Sequence, residues 1–142
     1  MSQDPDVRQS REATLLALID AENRNDLDAV CAAFPHPRYE LIGTHKVYDG
    51  TEQVGAYLRD RAAAFPDYRS ELITYHHADE AVIAEVWISG TLLGAIARDH
   101  DAIAPTGRGF RCRMAAFFSF NGTRLDSARI YFDTATIARQ LA

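Results

Sequence analysis

A chain of 142 residues is the length of a single domain, here read as residues 1–142, with enough surface to bury for a real core. Its 47% hydrophobic and 25% charged residues are those of an ordinary globular protein, and a net charge of −5 with both signs interspersed supplies no basic footprint for nucleic acid. No apolar run approaches a membrane span, and residues 1–6 lack the basic and apolar regions of a secretory leader, so the expectation is a cytoplasmic protein with neither nucleic acid nor membrane as partner.

Asp4 followed by Pro5 reads as a cap and a first helical position, and Val7, Leu15, Leu18, Ile19 and Ala21 recur at helical spacing to about Asn23. Asn25-Asp26 breaks that helix and caps a short second one carrying Leu27, Val30, Cys31 and Phe34, which Pro35 and Pro37 end. Residues 38–43 and 46–48 form a small hairpin around Thr44-His45. Asp49-Gly50-Thr51-Glu52 has capping-box spacing, and a third helix follows with Val54, Leu58, Ala62 and Phe65 on one stripe.

After Phe65-Pro66-Asp67 the period changes from helical to alternating. Residues 68–77, 81–92, 110–120 and 123–132 read as four long strands, the last two joined by Asn121-Gly122, a strong two-residue hairpin signal. The loop 93–109 is long and holds His100-Asp101 and Pro105, and long loops are usually functional or mobile. A short helix opens after Asp133. Three helices followed by a meander is an α+β pattern: a cone-shaped, curved antiparallel sheet packed against three N-terminal helices, with a short C-terminal helix. Such a cone encloses a concave, mostly apolar site for a small molecule.

The chain has no glycine-rich phosphate loop, no Cys–His nucleophile arrangement and no zinc-type spacing, so no metal and no cofactor is expected. Cys31 and Cys112 stand alone and read as free, buried thiols of a reducing compartment. Strand alternation then sorts the side chains. Tyr68, Ser70, Leu72, Thr74 and His76 share one face, with Tyr68 and Ser70 placed to line a pocket; His76 and His77 point to opposite faces and cannot hold a metal together. Glu85 and Trp87 share a face, Glu85 suited to pairing with an arginine of the next strand and Trp87 to anchoring a core, pocket wall or interface. Met114 and Phe118 lie with Cys112, Ala116 and Phe120 on the apolar face and complete the candidate ligand-binding set, which leaves Arg111 and Arg113 facing solvent or a partner subunit.

Several blocks taken in order resemble the SnoaL-like polyketide cyclases of the nuclear-transport-factor-2-like superfamily. They are Gly50, Phe65-Pro66-Asp67, Ser89-Gly90-Thr91, Pro105-Thr106-Gly107-Arg108, Asn121-Gly122, and Tyr131-Phe132-Asp133 with Gln140-Leu141. The resemblance implies a curved sheet around an apolar pocket, frequent homodimers, and relatives that include cyclases, isomerases, dehydratases and epoxide hydrolases as well as non-catalytic binding and scaffold proteins. It places a general acid/base at Asp133. The histidine common on the preceding strand falls on Ala116, and the usual Gly-Thr-His reads Gly90-Thr91-Leu92.

The expected activity is cofactor-independent acid/base chemistry on a small apolar carbonyl compound. Asp133 serves it if burial raises its pKa toward neutrality. Its other role is to cap the last helix, where accepted N–H bonds lower the pKa. Tyr131 is the candidate for steadying an enolate, or an aromatic packing element, and Glu40 is a second candidate base on the small hairpin. The alternatives are a non-catalytic ligand-binding or dimer-scaffold protein, and an epoxide hydrolase, which needs two carboxylates around one water.

Overall fold

The structure, a computed structural model, describes residues 4–96 and 103–142, so the predicted loop pair His100-Asp101 lies outside the described residues. Helix α1 runs over Pro5–Asn23 and α2 over Leu27–Ala32; strands β1 (Arg38–Leu41) and β2 (Lys46–Asp49) flank a 3-10 turn; α3 spans Gly50–Ala64. Strands β3 (Arg69–His77), β4 (Ala81–Thr91), β5 (Gly109–Asn121) and β6 (Arg124–Tyr131) follow, then α4 (Thr134–Leu141). Asp4 and Asp26 cap α1 and α2 through bonds to Asp6 N and Ala29 N. At α3 the capping box is replaced: Asp49 makes no side-chain cap bond, and Gln53, one residue beyond the predicted Glu52, reaches back to accept from Asp49 N at 2.9 Å.

The strands form one curved sheet in the order β2-β1-β6-β5-β4-β3. Four pairings are antiparallel as expected; β1 and β6 run parallel, which makes the sheet mixed. A parallel neighbour requires a long crossover, and more than half of the chain, from Ile42 to Thr123, lies between these two strands. One face of the sheet carries the core. Val82, Ala84, Val86, Ile88, Ala116, Phe118, Ala128 and Ile130 meet Leu15, Leu18, Val30, Val54 and Leu58 of the helices. Two register shifts, at Leu72/Thr74 and at Ser119/Phe120, add curvature. The first also corrects the predicted face of β3: beyond Ile73 the pleat inverts, so Tyr75 and His77, not Thr74 and His76, pair with inward-facing Ala84 and Val82. No helix among the described residues is long and apolar enough to cross a membrane.

Polar clamps hold the layers in register. Asp67 accepts from Thr91 N and Thr91 Oγ1, both at 2.7 Å, while Phe65 closes edge-on to Phe110 against Gly90, where a Cβ would come within 3.1 Å of Phe65. Leu93 N and Gly94 N donate to Ala64 O and cap the end of α3, with Gly94 lying on the Ala63 carbonyl. Asp133 caps α4 by accepting from Ala135 N at 3.0 Å and Thr136 Oγ1 at 2.7 Å, and Gln140 makes two bonds to the Arg111 backbone. Arg11, 3% exposed, donates to Gly122 O and Asp79 O, tying α1 to two hairpin turns.

Gly94→Ala pushes a methyl into the Ala63 carbonyl and is expected to cost roughly 1–3 kcal/mol, read as a lower midpoint in denaturant at unchanged slope. Bonds from the Thr91 backbone and hydroxyl hold the Asp67 carboxyl below the usual range, and bonds from the Thr136 hydroxyl and Ala135 N–H do the same for Asp133. Each therefore stabilises the fold above the unfolded carboxylate pKa and loses that contribution as pH falls through its depressed folded value. Melting curves should show Asp67→Asn and Asp133→Asn below wild type at neutral pH, with the gap closing in acid; a gap that widens in acid contradicts this.

Candidate functional site

Charged residues on the buried stripes of two helices mark the hollow of the sheet. Glu22 follows Leu15 and Leu18 by seven and four positions and so faces inward from the last turn of α1. Tyr57 and Arg61, one turn apart on α3, sit on either side of buried Leu58. Tyr39, 1% exposed, comes from the inner side of β1, and buried Tyr68 precedes β3. These five residues converge. Tyr39 Oη donates to Glu22 Oε1 at 3.0 Å, and the Arg61 guanidinium lies 3.9 Å above the Tyr68 ring and 5.8 Å from that of Tyr57. Tyr48 stacks on Tyr57 at 4.6 Å, and Tyr39 stands 6.2 Å from Tyr57. The Asn23 side chain brackets the Ser70 backbone with bonds of 2.7 and 2.9 Å, and the Ser70 hydroxyl, in a residue 3% exposed, has no hydrogen-bond partner among the described residues.

Burial governs the ionisation of this cluster. It pushes Tyr68 up to about 12, partly opposed by Arg61. Burial, with the Glu22 charge beside it, holds Tyr39 well above its ordinary value, and burial raises Tyr57 as well. Burial works against the charge on Arg61, yet Tyr68, Glu22 and Tyr57 around it carry its pKa above the ordinary value. The hollow therefore offers hydroxyl donors that stay protonated, a permanent cation and a carboxylate acceptor. Among the described residues no three His, Cys, Asp or Glu side chains gather as a metal site.

The predicted residues divide between two faces. Tyr68 and Ser70 belong to the hollow. Phe118 is a core residue of the inner face, and Met114 lies partly buried beside a groove of about 270 Å³ shared with Glu85, Arg113 and Ala115. Trp87 is on the outer face, stacked under Arg111 at 3.7 Å with Arg113 at 5.3 Å, so it anchors the outside of the sheet and not a pocket wall. Arg113 pairs with Glu85 at 3.8 Å, the cross-strand contact expected of Glu85. Tyr131 is also outside, 40% exposed and edge-on to Phe117, with Arg129 lying against both rings. Glu40 lies opposite Arg129 on the same face, because its neighbours Tyr39 and Leu41 take the inner one. Asp133 is solvent-exposed, both carboxylate oxygens are engaged as a helix cap, and its pKa falls where acid/base work needed it raised. Cys112 is buried and Cys31 partly so, both free.

Sequence reasoning missed Glu22, Tyr39, Tyr57 and Arg61. The signal was present: Glu22 and Arg61 interrupt apolar stripes that otherwise carry Leu15, Leu18, Val54 and Leu58. His77 turns inward after the bulge and pairs with Glu12 at 2.7 Å.

The same architecture recurs in solved structures. A candidate SnoaL-like polyketide cyclase from Jannaschia sp. CCS1 superposes with a TM-score of 0.78 at 15% identity, covering 99% of this chain and 96% of that one. IdmH, a candidate polyketide cyclase from Streptomyces antibioticus, gives 0.73 at 22% identity over 92% and 97% of the two chains. A protein of ketosteroid-isomerase-like fold from Catenulispora acidiphila, crystallised with trimethylamine, gives 0.75 at 17% identity over 90% and 91%. At such identities the likeness establishes the fold alone, and no curated protein sequence matches the chain. The sequence profile of the SnoaL-like domain matches residues 15–127. On that match, over most of its length, the chain belongs to the SnoaL-like domain family.

Proposed function

We propose that this protein is a cofactor-independent acid/base catalyst acting on a small, largely apolar carbonyl compound held in the hollow of the sheet. One observation carries the reading: a carboxylate and a guanidinium sit among two buried tyrosines, Tyr39 and Tyr68, and a third partly buried one, Tyr57, against an otherwise apolar core. Glu22 takes a proton from the carbon beside the substrate carbonyl, and the electron pair moves onto the carbonyl oxygen. The Tyr57 and Tyr68 hydroxyls, kept protonated by burial, hydrogen-bond that enolate oxygen. Return of the proton to a different carbon isomerises the substrate, attack of the enolate carbon on a second carbonyl closes a ring, and departure of a neighbouring hydroxyl as water dehydrates it. The cluster supplies Glu22 as its carboxylate, so it favours these reactions over epoxide opening, which needs two.

A second reading, a ligand-binding protein without catalysis, is favoured by the engagement of Asp133 as a cap. The two separate in deuterium oxide. Wild-type protein should speed exchange of the α-protons of tetralone or larger cyclic ketones, followed by NMR, and Glu22→Gln should lower that rate roughly a hundredfold while Asp133→Asn keeps it. Exchange no faster than in buffer, with every ketone, removes the catalytic reading; loss in Asp133→Asn alone returns the proton to Asp133.

The protein is further proposed to work as a homodimer through the outer sheet face. Trp87, Phe117 and Tyr131 lie there with Arg111, Arg113 and Glu85, an aromatic and mixed-charge surface suited to self-complementary two-fold pairing. Sedimentation should give a dimer for wild type and a monomer for Trp87→Glu; a monomeric wild type ends the proposal.

A further inference from the structure

Arg61 has a side of its chemistry that proton transfer leaves unused. Its guanidinium carbon lies 3.9 Å over the Tyr68 ring and its side chain also meets the Tyr57 hydroxyl, which leaves N–H groups on its remaining edge for a ligand. Among the described residues it forms no ion pair. Glu22 lies near enough to act on its charge, but spends Oε1 on the Tyr39 hydroxyl. Arg61 is a partly buried cation whose one neighbouring carboxylate is already engaged, so it has attraction left for a second anion. The balance of donors points the same way. Tyr57, Tyr68, Arg61 and Ser70 bring N–H and O–H groups to the hollow, and its one carboxylate, Glu22, already accepts from Tyr39. The Ser70 hydroxyl is the second, independent sign: it is buried, it stands on the inner side of β3, and it has no partner among the described residues.

We propose that the compound bound in the hollow carries a carboxylate, which the edge of Arg61 takes as a bidentate pair with Ser70 Oγ donating alongside, so that the substrate class is keto acids with an apolar body. A planar guanidinium fixed by stacking is pre-organised for a planar two-oxygen anion and loses little freedom on pairing. The apolar body then lies against the aromatic rings of Tyr39 and Tyr57. This inference rests on the hollow being the binding site, as in the proposed function, but not on proton transfer occurring there.

The test uses the full chain and two probes of equal shape, naphthoate and naphthamide, with binding followed by ligand-observed NMR. Wild type should prefer naphthoate by about tenfold or more, the usual scale of one charge-assisted pair. Arg61→Met should abolish the preference, Arg61→Lys should keep part of it, and Ser70→Ala should weaken naphthoate more than naphthamide. Circular dichroism identifies any variant that fails to fold, in which case Arg61→Lys and Ser70→Ala carry the test. Equal affinity for the two probes, no binding of either, or a preference that survives Arg61→Met overturns the proposal. A carboxylate preference together with absent proton exchange leaves this inference standing and removes the catalytic one.

Discussion

Among the described residues the helices cover one face of the sheet, and that constraint separates its side chains into two environments. Helices α1 and α3 pack on the inner side, so each strand's alternation sends every second residue into a dry interior and its neighbours to an uncovered surface. Tyr39 and Glu40 are adjacent in the chain and end on opposite sides of this boundary, as do Ile130 and Tyr131. A charge on the outer side is solvated and cheap. A charge on the inner side has to be accounted for: Arg11 is met by turn carbonyls, Glu22 by the Tyr39 hydroxyl and Arg61 by the Tyr68 ring.

The blocks that make the family visible turn out to be structural fasteners. Asp67 and Thr91 stitch the turn after α3 to the end of β4; Phe65 and Gly90 sit face to face beneath them. Gln140 sews α4 to β5, and Asp133 opens α4. Residues of this kind fix the backbone and leave the reaction to other side chains. Glu22 and Arg61, to which the proposed chemistry is assigned, stand in no such block.

Legibility followed the same division. The helix starts at Asp4 and Asp26, the Asn121-Gly122 hairpin and the strand spans were open to local reasoning, because caps and two-residue turns are short-range effects. The inner and outer faces of β4 and β5 were open too, since their pleat runs unbroken alongside one another. The bulge at Ile73 was not: it depends on how β3 bends over its partner, and a single extra residue reverses every assignment after it. The parallel pairing of β1 with β6 joins residues some ninety positions apart and has no local trace. Glu22 and Arg61 could have been found by asking why a charge occupies a stripe that should be apolar. Asp133 drew attention instead because it stood in a recognisable motif.

Arg11 has a consequence for how the molecule comes together. It belongs to the first helix, yet its guanidinium is satisfied by carbonyls in the turn before β4 and in the turn between β5 and β6, the farthest at Gly122. Burying this cation requires both hairpin turns to be in place, so Arg11 reaches its full set of acceptors only in the assembled sheet. The helix thereby joins two turns far apart in the chain, and loosening either hairpin tip strips Arg11 of an acceptor while Leu15 and Leu18 still hold the helix on the sheet.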